Sequence, residues 1–283
     1  MIIDAHQHFW QLDRGDYGWL TPEVTKLYRD FMPDDLAPHL MRHGIDGTIL
    51  VQAAPTIAET EFLLEIAART PFVLGVVGWV DFAAATAADD IARLAEHPKL
   101  VGLRPMIQDI PDDDWMLRPD LAPAFDAMIQ ADLTFDALVL PRHLPQLRQL
   151  LTRYPDLRTV IDHGAKPKIS GRKFETWAND IAAIANESEV YCKVSGLLTE
   201  AGEDWVVSDI APYVAHLFEH FGSKRLVWGS DWPVLTVASS YAKWFDLAHK
   251  FVPNECAKEA IFGANAVELY ELAEDVKSKI ASL

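Results

Sequence analysis

Short apolar runs rich in β-branched residues alternate along the chain with longer stretches in which apolar positions recur every three to four residues. The short runs are typical of buried β-strands, and the longer stretches are typical of helices with one apolar face. Eight strands are predicted, at Ile2–His6, Gly47–Gln52, Phe72–Val80, Leu100–Met106, Leu133–Leu140, Arg158–His163, Val190–Ser195 and Arg225–Gly229. Helices are predicted between them at Asp35–His43, Ile57–Thr70, Ala84–Glu96, Leu121–Ala131, Leu144–Tyr154, Phe174–Asn186 and Asp204–Phe221.

This alternation predicts an α/β fold. Nearly continuous apolar strands that alternate with helices form a parallel sheet covered by helices, and eight such units favour closure into a barrel. A chain of 283 residues suits a single (β/α)₈ TIM barrel, so residues 1–283 are predicted to form one domain. The rival, an open doubly wound sheet, usually has a glycine-rich phosphate turn after its first strand, whereas this chain has His6-Gln7-His8 there.

Two segments lie outside the repeating pattern. The long loop Phe9–Met32 follows the first strand and contains Trp10, Tyr17 and Trp19. Because loops after barrel strands surround the active site, it is predicted to be an active-site loop, with simple packing over the rim as the alternative. The final segment, Asn265–Leu283, is predicted to be an amphipathic helix that serves packing only.

Charge and composition limit the function classes. The chain has 25 Lys and Arg against 42 Asp and Glu, a formal net charge of −17 that disfavours nucleic acid as a partner. It contains no apolar stretch long enough to span a membrane and no signal-like start, so a cytoplasmic location is expected. Cys192 and Cys256 are expected to be reduced thiols. The oligomeric state is open, with a homo-oligomer among the expectations.

The pair His6 and His8 carries the most information about chemistry. Residues two apart in a strand share a face, so Asp4, His6 and His8 are all predicted to point into the barrel mouth. Two imidazoles at the carboxyl end of a strand supply half of a metal site. The alternative, a pair of surface histidines, is disfavoured because the pair ends the first strand of a predicted barrel.

His163 and Asp231 are predicted to join this pair, because they end the sixth and follow the eighth strand. Val227, Gly229 and Asp231 share a face, and the small Gly229 leaves room beneath the carboxylate. A carboxylate beside imidazoles can ligate a metal or accept a proton from water. A turn or helix-capping role before Pro233 is the alternative for Asp231.

Two basic residues are predicted to act near this centre. Arg104 ends the fourth strand, where a guanidinium can bind a carboxylate or several hydroxyls, with an ion pair to Asp136 as the alternative. Lys193 could stabilise an anionic intermediate or pair with Asp162 or Asp231. The further substrate-binding candidates are Gln108, Trp10, Asp136 and Trp232.

Several motifs coincide with the ends of the predicted strands: His6-Gln7-His8-Phe9-Trp10, Ile161-Asp162-His163 with Lys166-Pro167, Lys193-Val194-Ser195-Gly196-Leu197, and Trp228-Gly229-Ser230-Asp231-Trp232-Pro233. Together they resemble the amidohydrolase superfamily through nearly the whole chain. More narrowly they resemble its sugar-lactonase branch, which includes L-fuconolactonases and L-rhamnonolactonases.

The resemblance implies a barrel in which His6, His8, His163 and Asp231 hold one divalent metal, with zinc expected, or activate water directly. The related pyrone-dicarboxylate lactonases are thought to work without metal, so the metal is dispensable in part of the superfamily. The dinuclear members have a carboxylated lysine or a glutamate late in the barrel and a further histidine. The fifth strand here offers only Asp136 and then His143, so a two-metal site is not expected.

The predicted reaction is hydrolysis of the lactone of a small sugar acid, such as L-fuconolactone or L-rhamnonolactone. Asp231 is the predicted general base, and His163 or Lys193 would stabilise the oxyanion. The alternatives are a metal-dependent decarboxylase of an aromatic acid, a pyrone-dicarboxylate lactonase without metal, an amide or imide hydrolase, and a non-catalytic binding barrel.

Overall fold

Eight parallel strands form one sheet in which each strand pairs with the next along the chain, in a computed structural model that describes residues 1–272. The strands are β1 (Ile3–Gln7), β2 (Gly47–Val51), β3 (Val73–Gly78), β4 (Leu100–Leu103), β5 (Thr134–Ala137), β6 (Thr159–Ile161), β7 (Tyr191–Val194) and β8 (Leu226–Trp228). All eight predicted strands are present, and the predicted (β/α)₈ barrel is confirmed. Most are shorter than predicted, because apolar residues continue beyond the strand ends into buried loops.

The helices are α1 (Pro33–His43), α2 (Ile57–Arg69), α3 (Ala87–Ala95), α4 (Ala122–Gln130), α5 (Leu144–Arg153), α6 (Glu175–Glu187), α7 (Leu197–Ala201), α8 (Val207–Phe221), α9 (Tyr241–Phe251), α10 (Glu255–Glu259) and α11 (Asn265–Leu269). The seven helices predicted between the strands are all present. Sequence reasoning missed α9, although Tyr241, Trp244, Phe245 and Ala248 recur at helical spacing and are buried. No described helix is long and apolar enough to cross a membrane. The cytoplasmic location and the homo-oligomer stay predictions.

The barrel closes at its mouth through the residues that follow β8. The His8 amide donates to the Trp232 carbonyl at 2.7 Å, and the Asp231 amide donates to the His6 carbonyl at 2.8 Å. Gln7 and Trp232 form an isolated parallel bridge there. The last turn of the barrel is therefore fastened to β1 at the residues predicted to carry the chemistry.

β-Branched and aliphatic side chains fill the inside of the barrel, and the end of the described chain closes it from below. The interior cluster contains Ile49, Val51, Val77 and Val160, and it continues into residues 266–272. Thr134, the first residue of β5, donates from Oγ1 to the Leu269 carbonyl at 2.8 Å. We call residues 266–272 the C-terminal plug. The helix predicted from Asn265 ends already at Leu269, and residues 273–283 lie outside the described residues.

The loop of residues 9–32 lies across the rim at the carboxyl ends of the strands. Its side chains Phe9, Trp10, Tyr17 and Phe31 are buried, whereas Trp19 and Tyr28 are exposed. Trp10 and Phe31 exchange two backbone hydrogen bonds of 3.0 Å. The indole N–H of Trp19 donates to the Ala53 carbonyl after β2, and Lys26 donates to the Val237 carbonyl after β8. The loop thus bridges two sides of the mouth, as an active-site loop would.

Gly229 gives a test of the packing that seats β1 against β8. A Cβ at this position would stand 2.6 Å from the His6 Cβ, closer than real Cβ contacts allow. We expect Gly229→Ala to lower the free energy of unfolding by about 1–3 kcal/mol, the usual cost of overpacking. Urea unfolding would measure the loss. The control is Gly18→Ala, whose Cβ would meet no atom within 4 Å; equal stability of the two variants would contradict the prediction.

Candidate active site

A β-bulge brings the two β1 histidines to the mouth. Pairing with β2 advances three residues along β1, from Asp4 to Gln7, against two along β2. Ala5 fills the barrel interior, and after the bulge the rings of His6 and His8 converge with ring centroids 4.9 Å apart. The bulge therefore changes which side of the strand faces the barrel.

Asp4 does not share the face of the histidines, and the prediction that it does is wrong. Its carboxylate accepts a hydrogen bond of 2.8 Å from the hydroxyl of Tyr241 on α9, and another of 2.8 Å from the Ser230 amide. Burial raises the pKa of Asp4 to about 6, although these hydrogen bonds oppose the shift. An uninterrupted alternation of side chains along β1 would place Asp4 inside the barrel. Because of the bulge, Asp4 lies among the helices instead, where it braces the segment that carries Asp231.

The Asp231 carboxylate is the point at which the site converges. Its Oδ1 lies 3.3 Å from His8 Nε2, 3.7 Å from His6 Nε2 and 3.9 Å from His163 Nε2. Each of the four side chains is buried. His163 and Asp231 both have left-handed backbone, with φ of 54° and 58°, a conformation uncommon outside glycine and enriched in functional sites. The structure thus brings together the four residues predicted to form the centre.

Burial and charge set the protonation of this centre. Burial lowers the pKa of His163 to about 4, although the carboxylates of Asp231 and Asp162 oppose the shift. The pKa of His6 lies well below its usual value because of burial and the nearby Lys193 ammonium. For Asp231, burial would raise the pKa, yet the three histidines hold it well below its usual range. An ionised carboxylate therefore faces two neutral imidazoles.

The donor set fits a bound cation. His8 Nδ1 lies 2.8 Å from the Val51 carbonyl oxygen, which can only accept, so Nδ1 carries the proton. In the neutral ring the lone pair of His8 is then on Nε2, which faces the acceptor-only Asp231 Oδ1 at 3.3 Å. Two acceptors at this distance repel each other unless a cation or proton lies between them. His6, His163 and Asp231 offer ligand atoms within 4.8 Å of one another, a separation that one divalent metal can span.

His163 is held by the loop after β7. Its Nδ1 lies 2.8 Å from the Ser195 hydroxyl, and a Cβ on Gly196 would come within 2.6 Å of its ring. Hydrogen bonds to the second ring nitrogen orient metal-binding histidines and set their tautomer. Ser195 and Gly196 belong to one of the sequence motifs, but no role was predicted for them, because neither residue type indicates chemistry by itself.

Lys193 lies beneath His6 and makes three polar contacts with no exposed surface. Its Nζ is 2.5 Å from Asp136 Oδ2, 3.0 Å from Asp162 Oδ1 and 3.1 Å from His6 Nδ1. An ammonium has three N–H groups, and two carboxylates, those of Asp136 and Asp162, face it here. The alternative ion pair with Asp162 is therefore present, and the contact of Lys193 with an oxyanion stays a prediction.

Asp136 belongs to the same buried layer, and its contact with substrate stays a prediction. Its side chain is fully buried, and its carboxylate contacts Lys193 and the Tyr270 hydroxyl. Burial raises the pKa of Asp136 to about 6, against the effect of Lys193. Burial also opposes ionisation of Asp162, yet Lys193 and His6 hold the pKa of that carboxyl well below its usual range.

Arg104 reaches the centre from β4. Its Nη1 lies 3.2 Å from Asp162 Oδ2 and 3.4 Å from His6 Nε2, and its Nη2 donates to the Gln52 carbonyl. The ion pair expected with Asp136 is thus made with Asp162 instead. Because Nη1 borders His6, Arg104 keeps its place among the candidates for substrate contact.

The aromatic candidates Trp10 and Trp232 are packed into the rim. Trp10 has no exposed surface, and its indole N–H donates to the Arg29 carbonyl at 2.8 Å. Trp232 is 3% exposed and packs edge-on against Phe31. Neither indole therefore has an open face among the described residues, and the contact of both with substrate stays a prediction. Gln108 is half-buried in a short turn beyond β4, where it stays a prediction.

Comparisons with known proteins agree with this geometry. The amidohydrolase family model matches residues 3–272. An L-fucono-1,5-lactonase from Burkholderia ambifaria is 47% identical over 277 residues, which cover 95% of each protein. An L-fucono-1,5-lactonase from Burkholderia multivorans is 32% identical over 98% of each protein. A crystal structure of an amidohydrolase from Burkholderia multivorans with bound zinc has a TM-score of 0.90 and 33% identity, covering 96% of this chain and all of that one.

Zinc binding tests which histidine cluster holds a metal. Among the described residues, a second group, His216, Glu219 and His220 on α8, also has ligand atoms within 4.8 Å of one another, but it is partly exposed. We expect competition with a chelator to show that each chain binds one zinc ion. His163→Asn should weaken its binding at least 100-fold, more than loss of a supporting contact costs. The control, His216→Gln, should leave it unchanged; the reverse pattern would place the metal on α8.

Proposed function

The chain belongs to the amidohydrolase family, and from this premise we propose that it is a sugar lactonase that hydrolyses an L-fucono-1,5-lactone by attack of water at the ester carbonyl. The observation that carries the proposal is the convergence of the Asp231 carboxylate with His6, His8 and His163 at the barrel mouth. Two curated relatives of matching length bear the name L-fucono-1,5-lactonase.

Asp231 is the proposed general base. Its carboxylate is ionised, buried and aimed at the histidine cluster, so an adjacent water can donate a proton to it as the water oxygen attacks the carbonyl carbon. Asp231 then returns this proton to the ring oxygen as the carbonyl–oxygen bond breaks. The product is the open-chain sugar acid, and the Asp231 side chain is again an ionised carboxylate.

The oxyanion formed in the attack needs a donor near the histidines. When no metal is bound, the Nε2–H of His163, whose ring is held at Nδ1 by Ser195, is the proposed donor, and Arg104 is the proposed contact for a substrate oxygen because its Nη1 borders His6. His6, His8, His163 and Asp231 would together hold one divalent ion, for which we propose zinc, and such an ion supplies Lewis-acid polarisation of the ester carbonyl.

A panel of sugar lactones with a pH indicator tests the reaction class. We expect L-fucono-1,5-lactone to release one proton per molecule, with kcat/KM of at least about 10⁴ M⁻¹ s⁻¹, as is usual for an enzyme acting on its own substrate. A parallel assay with aromatic acids, which measures release of carbon dioxide, tests for a decarboxylase. A second assay with amides and imides tests for a hydrolase of those compounds. Turnover in one of those assays while every lactone stays intact would refute the proposal. Repeating the lactone assay with a chelator measures the dependence on metal.

Asp231→Asn tests the proposed base. The amide keeps the shape of the side chain but cannot accept the proton, so we expect kcat to fall about 10²- to 10⁴-fold. The matched control is Asp89→Asn, on the exposed face of α3, which should leave kcat unchanged. Retention of more than a tenth of wild-type turnover by Asp231→Asn would remove Asp231 from this role.

A further inference from the structure

Three buried contacts in series connect the C-terminal plug to the histidine cluster. The Tyr270 hydroxyl donates to Asp136 Oδ2 at 2.8 Å, and the same oxygen accepts from Lys193 Nζ at 2.5 Å. Lys193 Nζ lies 3.1 Å from His6 Nδ1 on the far side. Asp136, Lys193 and His6 have no exposed surface, and Tyr270 is 2% exposed. The series therefore runs through the barrel from its closed end to its mouth.

The Tyr270 hydroxyl fixes the orientation of the Asp136 carboxylate. Both donors meet Oδ2, whereas Oδ1 of Asp136 has no hydrogen-bond partner among residues 1–272. A carboxylate held on one oxygen by a single flexible lysine could rotate about its terminal torsion, which is broad for aspartate. A second, rigid donor on the same oxygen removes this freedom. The position of the Lys193 ammonium, and of the His6 ring above it, then depends on both the Tyr270 hydroxyl and the Asp136 carboxylate.

We propose that Tyr270 is a positioning residue of the active site, which acts through Asp136 and Lys193 to hold His6 in place. The C-terminal plug, which sequence reasoning assigned to packing only, is by this proposal a functional part of the centre. The inference deepens the proposed lactonase function and rests on it for its kinetic readout. Its second readout, the affinity for zinc, does not depend on any substrate.

The chain offers a matched pair of variants that separates positioning from packing. Tyr270→Phe removes the hydroxyl but keeps the ring in the interior cluster, including its place 5.6 Å from Lys193 Nζ. Thr134→Val removes the other side-chain hydrogen bond between β5 and the plug, from Thr134 Oγ1 to the Leu269 carbonyl. Both variants loosen the plug by one buried hydrogen bond, but only Tyr270→Phe interrupts the path to Lys193.

The experiment measures kcat, KM, zinc affinity by chelator competition, and Tm for the full-length wild type and both variants. We expect Tyr270→Phe to lower kcat and zinc affinity about tenfold, the lower end of what loss of a supporting contact costs a metal site, with KM within twofold. Thr134→Val should keep both values near those of wild type while its Tm falls as far as that of Tyr270→Phe.

Two outcomes would overturn the inference: equal losses of kcat and zinc affinity in the two variants, or no loss in Tyr270→Phe. Equal losses would mean that the hydroxyl contributes only to seating the plug. If the wild type hydrolyses no lactone, the proposed function fails by itself, and the comparison of zinc affinities still decides the role of Tyr270. Equal zinc affinity in wild type and Tyr270→Phe would in that case reject it.

Discussion

The backbone hydrogen bond from the Asp231 amide to the His6 carbonyl joins the two ends of the sheet at the site. It is 2.8 Å long and is seconded by the bond from His8 to the Trp232 carbonyl. β1 and β8 are neighbours in the closed barrel but have no continuous ladder among the described residues, so these contacts close the mouth. Because they hold the main chains of His6 and Asp231 together, the carboxylate meets the imidazoles although the residues lie far apart in sequence.

Below this contact the barrel contains a layer of buried charge that would be costly if any member were missing. Lys193 and Arg104 are cations, and Asp136 and Asp162 are carboxylates that contact them. Removing one partner of a buried ion pair leaves an uncompensated charge, which typically costs several kcal/mol. The layer is therefore a rigid support and a poor source of mobile reactants. Chemistry falls to the residues above it, where Asp231 adds a further negative charge at the mouth.

Sequence patterns predicted the barrel and the four central residues because strand ends in a barrel meet at one face, whatever their order in the chain. The sequence patterns failed where a bulge interrupts the alternation of a strand, or where a residue lies deeper in the barrel than the strand end suggests. The bulge after Asp4 changed the side of the strand that faces the barrel, and Lys193 lies beneath His6, where it pairs with Asp162. Tyr270 gave no signal at all, since a tyrosine in an apolar C-terminal segment is ordinary core composition.

The aromatic residues of the rim carry the last consequence for recognition. Trp10 and Trp232 direct their surface into the packing of the loop of residues 9–32 and leave no open face for a sugar ring. Under the proposed function, recognition of a hydroxyl-rich ring is then the task of polar groups such as Arg104, which borders His6. The net charge of −17 also favours turnover, because it acts differently on the substrate and on the product. A neutral lactone enters without electrostatic cost, whereas the anionic sugar acid that it becomes is repelled by the net negative charge of the protein.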